Sequence, residues 1–403
     1  MTAHTVEDAI REGSAVGPSA LVDRVRSGDP VTVLDVRDRD EFEAWSISGP
    51  GVTAAHVPLM KFVQAEVAGD PGDLVADLDE PIVVVCARGE SSDHVADLLR
   101  DAGVDAVNLA EGMAGWARVY EAVPLDRSPS PLPAGVEVVQ YQRPSSGCLA
   151  YLVVGDGEAA VIDPLRAFAD RYVDDAEARG ATLRYAIDTH VHADHVSGVR
   201  AVADATGAAP ILPAGARGRG LDADAGFGDD LRLVADGDDL PLDGTTLRAI
   251  HAPGHTSEMT AFGLGDLLFT GDLVFLDSVA RPDLEDGDAG ASAAARRLHA
   301  TLTDWLADRP ADAVVAPAHY GAATRPAPDG TYTATVGDLF ERLPALSMDE
   351  PTFVARVAED LPPRPTNYER IIEINLGRAS ADDEDAFELE LGPNNCAVSS
   401  SAD

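Results

Sequence analysis

The sequence predicts an α/β protein of two domains followed by a helical extension: a small unit of parallel strands and helices, then a larger one whose two sheets lie between helices. Three features carry this reading. Apolar β-branched runs alternate with helical patterns up to residue 122, a Pro- and Ser-rich stretch interrupts the chain at 123–136, and strands followed by helices then recur twice over 137–340. At 403 residues the chain also exceeds one ordinary domain.

In the first unit, "VTVLDV" (31–36) and "PIVVVC" (81–86) are continuous apolar runs ending in polar turns, as strands buried on both faces are. "SDHVADLLRDAGV" (92–104) has helical spacing and stops at Gly103; "DAVNLA" follows as a strand and "GWARVYEAV" as a closing helix. "VPLDRSPSPLPAG" (123–135) holds four prolines and two serines, which is linker chemistry. The second domain opens with hairpin-like strands, "VEVVQYQ", "CLAYLVV" and "AAVIDP". A helix over 168–179, the strand "RYAIDTH" and a further helix complete its first half. The second half comprises the strands "TTLRAIHA", "MTAFGL" and "DLLFTGD", a helix at 291–307 and the strand "DAVVAPAH". Segments around "VGDLFERLPALS", "PTFVARVAEDL" and "NYERIIEINLG" read as helical, so that 341–403 forms an extension whose last residues, "SSSAD", fray.

Seventy acidic residues against thirty basic ones give a formal charge of -40, and Lys61 is the single lysine. Such a surface excludes nucleic acid and anionic membrane as partners, since both are held by clustered lysine and arginine. The acidity is dispersed, as in "DADAGFGDD" and "ADDEDAFELE", and points to adaptation to a salt-rich (halophilic) cytoplasm where repulsion is screened within a few ångströms. No run reaches the roughly 18 apolar residues of a membrane span, and the N-terminus shows no secretory pattern, so a cytoplasmic location is expected. Three widely spaced cysteines, Cys86, Cys148 and Cys396, argue against a disulfide framework.

"THVHADHVSG" (189–198) crowds His190, His192, Asp194 and His195 into six positions. On an extended strand residues two apart share a face, so His190 and His192 are expected to address one ion, with Asp194 and His195 in the turn that follows. His255 in "HAPGHTSE", Asp272 in "FTGDLVF" and His319 in "APAHYG" each follow an apolar strand end. Imidazoles and carboxylates gathered from strand-end loops suit zinc and iron alike. His251 and His299 lack such a setting and read as surface or hydrogen-bonded histidines.

The run "THVHADH" matches the H-x-H-x-D-H signature of the metallo-β-lactamase superfamily, which the chain resembles over about residues 137–340; the resemblance implies an αββα sandwich. In dinuclear members, the counterparts of His190, His192 and His255 hold one ion and those of Asp194, His195 and His319 another, with Asp272 bridging. Similarity to the persulfide dioxygenase subgroup implies instead one Fe(II) per chain on His190, His255 and Asp272, with open positions for O2 and substrate. His192, Asp194, His195 and His319 then surround that ion. The alternative, two zinc ions, implies a thioester hydrolase of the glyoxalase II kind. Arg281 in "SVARPDLEDG" resembles a loop arginine near the active site of those dioxygenases, although on its residues alone it reads as an exposed charge. Tyr320 directly follows His319, where they usually interpose an aspartate; both Arg281 and Tyr320 are candidates for substrate contact.

"VVVCARGESSDHVADLL" sets Cys86 between a buried strand and a helix, where loop N–H groups and the helix N-terminus favour a thiolate or persulfide. With "LDVRDRDEF" before it and "NLAEGMAGW" after it, this resembles a single rhodanese domain, in which the loop cysteine carries sulfane sulfur. Arg88 supplies the loop's positive charge, while the fifth position after the cysteine, commonly arginine in that family, is Ser91. Cys148 and Cys396 are assigned to packing. Together the two resemblances imply a low-molecular-weight thiol persulfide and O2 as substrates, sulfite or thiosulfate as products, and, as a third reading, a sulfur carrier or sensor of low turnover. Relatives of this kind often form homodimers.

Overall fold

The computed structural model describes residues 5–127, 130–224, 226–359, 361–392 and 395–398. The fraying end at 399–403 and Ser128 and Pro129 of the expected linker lie outside them. The chain divides into two compact units, Met1–Tyr120 with Arg143–Ser146, and Glu121–Gln142 with Gly147–Asp403.

The first unit holds a parallel sheet of β1 (Val31–Asp35), β2 (Val52–His56), β3 (Ile82–Val85) and β4 (Ala106–Asn108), in the order β2-β1-β3-β4. Along β3, Val83 and Val85 enter one apolar cluster while Ile82 and Val84, with Cys86 beyond them, enter another. Both faces of the strand are therefore buried, which is why its sequence is apolar without alternation. The helix Glu90–Asp101 follows. The expected closing helix is shorter, Gly112–Ala117, and Glu121–Pro124 is a strand instead. Valines 119 and 123 and the proline at 124 favour extended backbone there.

That strand, β5 (Glu121–Pro124), belongs to the second unit, so the stretch read as linker begins as a sheet edge paired antiparallel with β6 (Glu137–Arg143). The sheet continues through β7 (Cys148–Val154), β8 (Glu158–Ile162), β9 (Thr182–Ile187), β10 (Ala209–Pro213) and β11 (Arg232–Val234), in the order β11-β10-β9-β8-β7-β6-β5. A second sheet runs in sequence order from β12 (Asp239–Leu242) through β13 (Thr245–His251), β14 (Thr260–Leu264), β15 (Leu267–Gly271) and β16 (Val314–Pro317) to β17 (Ala334–Thr335). The two sheets share one apolar core, in which the rings of Tyr151 on β7 and Phe269 on β15 meet at 5.0 Å. The helices Ala169–Ala178 and Val199–Thr206 pack on the first sheet. The architecture is the expected sandwich. Strands β10, β11 and β12 escape the sequence reading because three to five residues carry too little periodicity.

Helices Val336–Arg342, Glu350–Ala358 and Tyr368–Asn375 follow as expected, and Asp383–Leu389 adds a fourth. No helix among the described residues is long and apolar enough to cross a membrane.

Candidate metal centre and thiol loop

The strand leading into the histidine motif is shorter than expected. β9 ends at Ile187, so His190 and His192 lie in a loop and strand alternation does not orient them. Buried hydrogen bonds do so instead. Asp163, at the end of β8, accepts from the backbone N–H of Thr189 at 2.7 Å and from its hydroxyl at 3.0 Å. Glu258 accepts from the N–H of Val191, and Asn375 donates to the carbonyls of both His192 and His195 while accepting from the N–H of Ser197.

His190, His255 and Asp272 come together as one buried set, each offering a ligand atom within 4.8 Å of the others. His255 Nδ1 donates to the carbonyl of Arg281 at 2.9 Å, and His190 Nδ1 meets the Thr189 hydroxyl at 2.9 Å. Each ring thus keeps Nε2 for the centre, at 3.7 Å from Asp272 Oδ2 for His190 and 3.6 Å for His255. Asp272 reaches this place because Gly271 turns with φ +52, where a Cβ would stand 2.5 Å from the Thr189 hydroxyl.

The other motif residues separate into two further groups. His192 Nε2 lies 3.1 Å from Asp163 and 3.6 Å from Asp188, so its ring groups with those carboxylates and not with the set of His190, His255 and Asp272. Asp194 Oδ2 accepts from His319 Nε2 at 2.9 Å and from His195 Nδ1 at 3.2 Å, while His319 Nδ1 donates to Asp272 Oδ1 at 2.5 Å. Two cysteines assigned to packing join the centre: Cys148 clusters with Asp194, His195 and His319, and Cys396 with Asp272 and His319.

The charges in this buried region divide. Burial, reinforced by the neighbouring histidines, drives the pKa of His190 well below its ordinary value, and burial also lowers that of His255. Both favour the neutral, ligating imidazole. Burial opposes charging His319 as well, but Asp272 and Asp194 outweigh it and raise the pKa well above the ordinary value. His195 is raised to about 9, its attraction to Asp194 prevailing over burial and over His192. His190 Nε2, His195 Nε2, Asp194 Oδ1 and Asp272 Oδ2 are buried without a hydrogen-bond partner. Each such atom costs about 1–3 kcal/mol. Cations lodged among them relieve this cost, so the donor set fits a metal.

Arg281 corrects the expectation of an exposed charge. It is 1% exposed, and its five N–H bonds go to Asp283, twice, and to the carbonyls of Pro362, Pro363 and Asn395. The guanidinium is a structural clamp with no donor left for a substrate. Tyr320 is half-buried and its ring stacks on Tyr332 at 3.6 Å. His251 and His299 each bond a backbone carbonyl, as their settings implied.

In the first unit Cys86 is buried; its Sγ accepts from the Gly89 N–H at 3.1 Å and lies 3.2 Å from the Ser92 hydroxyl, whose one proton it shares with Asn108 Oδ1 at 2.7 Å. Arg88 in the same loop is exposed. Ser92, one residue past the position compared with the family's arginine, is not singled out by the sequence patterns. A hydroxyl one helical turn into the following helix is the signal that could have found it. Asp163, Asp188, Glu258 and Asn375 had no such signal, since they meet the motif only through the fold.

Residues 144–319 match the metallo-beta-lactamase superfamily and residues 18–119 the rhodanese-like domain. A human mitochondrial persulfide dioxygenase is 30% identical over 186 residues, 45% of this chain and 66% of that protein. A hydroxyacylglutathione hydrolase of Methylococcus capsulatus is 35% identical over 125 residues, 30% of this chain and 44% of its own length. A metallo-beta-lactamase from Staphylococcus aureus has a similar structure, with a TM-score of 0.53 at 26% identity, covering 61% of this chain and 74% of the other. The chain thus spans just under two thirds of that dioxygenase and less than half of the hydrolase.

Proposed function

From a chain that joins a rhodanese-like domain to a metallo-beta-lactamase superfamily domain, we propose a persulfide dioxygenase coupled to sulfur transfer. The reaction is R–S–SH + O2 + H2O → R–SH + SO3²⁻ + 2H⁺, with R–SH a low-molecular-weight thiol. The observation that carries it is the set of two imidazole Nε2 atoms and one carboxylate oxygen from His190, His255 and Asp272. Such a set leaves positions open for O2 and a sulfur substrate, and similarity to persulfide dioxygenases supports the same reading. When bound there, Fe(II) supplies the redox chemistry of dioxygen.

The chain's own residues keep that centre in order. The Arg281 carbonyl and the Thr189 hydroxyl hold the two rings, and His319 fastens one oxygen of Asp272 so that the other faces the ligand set. His192 is occupied by Asp163 and Asp188. In the first domain Cys86 holds sulfane sulfur as a persulfide, with Gly89 N–H and the Ser92 hydroxyl stabilising the sulfur anion. Transfer to sulfite balances as Cys86–S–SH + SO3²⁻ → Cys86–SH + S2O3²⁻.

A second reading, a two-zinc thioester hydrolase, is favoured by the additional ligands Asp194, His195 and His319 and by the similarity to hydroxyacylglutathione hydrolases. Anaerobic purification with metal quantification and oxygen-uptake assays on a panel of small persulfides separates the two. About one iron per chain and uptake abolished in His255→Ala are expected. Two zincs with thioester cleavage and no uptake would establish the hydrolase.

A further inference from the structure

We propose that Asn108 is a positioning residue for the Cys86 sulfur: its side-chain carbonyl holds the Ser92 proton while the sulfur is neutral and yields it when the sulfur becomes anionic. The inference rests on the reading of Cys86 as a sulfur carrier. It concerns the first domain alone, so it holds whichever metal the second domain takes. Ser92 Oγ has one proton and three acceptors within reach: Asn108 Oδ1 at 2.7 Å, the Gly89 carbonyl at 3.1 Å and Cys86 Sγ at 3.2 Å. The group is shielded from water, with Ser92 fully buried and Asn108 and Cys86 each 6% exposed. A neutral sulfur is a weak acceptor, so the amide oxygen, at the shortest of the three distances, takes the proton. An anionic sulfur reverses the order, because a hydrogen bond to an ionised acceptor is about twice as strong as a neutral one. Rotation of the hydroxyl about the Cβ–Oγ bond is all that the change requires.

The fold brings these groups together. Strands β3 and β4 run parallel with Val84 opposite Asn108, so Asn108, the last residue of β4, and Cys86, just past the end of β3, lie at the same end of the sheet. Ser92 is the third residue of the helix Glu90–Asp101 that starts there. Gly89, with φ +100, turns the connecting loop so that its N–H faces Sγ at 3.1 Å.

In transfer to sulfite the bond between the terminal sulfur and Sγ breaks with its electron pair left on Sγ. The Ser92 hydroxyl turns to Sγ as that charge grows, an interaction stronger in the transition state than in the neutral persulfide. Asn108 thus reserves the donor for an anionic sulfur, and it does so at a cost. When the hydroxyl turns away, a buried carbonyl oxygen gives up that donor. The Gly89 carbonyl imposes no comparable cost, because it keeps the Asp93 N–H at 3.0 Å.

Alkylation of Cys86 by iodoacetamide in the full-length protein, followed at one neutral pH by peptide mass analysis, tests this without requiring sulfur transfer. Asn108→Leu keeps much of the side-chain shape but removes the acceptor, and should speed alkylation about two- to fivefold. That is below the full worth of one neutral hydrogen bond, since a stabilised thiolate is a weaker nucleophile. Ser92→Ala should slow the reaction, and in that background Asn108→Leu should change nothing, because the carbonyl acts only through the hydroxyl. An unchanged rate in Asn108→Leu overturns the proposal. A slower rate does so too, since it means that the amide N–H and not the carbonyl faces Ser92. Equal acceleration with and without Ser92 also overturns it, because a loosened loop behaves in that way. Asn108→Ala serves for the same comparison should the leucine variant not fold. Single-turnover thiosulfate formation from the persulfidated protein should follow the same pattern. Failure of Cys86 to take up sulfane sulfur, with alkylation as expected, would refute the carrier reading and leave the assignment of Asn108 standing.

Discussion

Replacing Arg281 by methionine separates two roles that sequence reasoning confuses. The structure assigns the guanidinium to stability: it bonds Asp283 at 2.7 and 3.1 Å and three backbone carbonyls at 2.8–2.9 Å, all in a buried setting. Breaking a buried ion pair costs about 3–5 kcal/mol. The lower end applies here, because Arg364 still reaches Asp283 at 2.8 Å. Three carbonyls left without donors add roughly 1 kcal/mol each, less where the segments carrying Pro362, Pro363 and Asn395 relax toward water. The expected loss is about 4–6 kcal/mol, and Arg281→Lys, with three donors in place of five, should recover part of it. Urea denaturation followed by fluorescence of Trp305, in a Trp45→Phe/Trp116→Phe background, reports the second unit alone. Oxygen uptake below the transition should keep its KM within about twofold, since the His255 contact uses only the Arg281 backbone carbonyl. A KM raised tenfold or more with stability unchanged would refute the clamp and restore substrate binding.

In the first domain, Cys86→Ser should abolish sulfur transfer while sparing oxygen uptake on a preformed small persulfide. Ser92→Ala removes one hydrogen bond to the sulfur, worth about 1 kcal/mol, and should slow transfer roughly fivefold in a sulfite-dependent thiosulfate assay. Asn375→Ala deletes three hydrogen bonds to the histidine loop and should weaken metal retention about 10- to 100-fold in competition with a chelator. The pKa of His195, raised from the ordinary 6.5 to about 9, contributes stability to the chelated protein that is fully present below pH 6.5 and lost, by up to about 3 kcal/mol, as pH rises through 9; urea curves at pH 7 and 10, compared with those of His195→Gln, measure it. The metal-loaded protein should show little of this loss, because the ion displaces the proton. With a formal charge of -40, the melting temperature should climb between about 0.15 and 2 M KCl, and a flat response would count against salt adaptation.

The sequence by itself determined the two-domain α/β architecture, because apolar runs such as 82–85 report burial on both faces and Gly and Pro mark where elements stop. It also singled out the histidines and carboxylates that the fold gathers into buried clusters able to hold a metal. Tertiary structure alone decided how they are grouped. His190 joins His255 and Asp272, whereas His192, two positions away, turns to Asp163, because hydrogen bonds from remote segments set each ring. It also decided that Cys148 belongs to the centre and that Arg281 does not face substrate. Such assignments depend on which atoms meet across 46 to 180 residues of chain, as Cys148 meets Asp194 and Asn375 meets His195. Local propensity carries no record of those meetings; the packing of one sheet on another creates them.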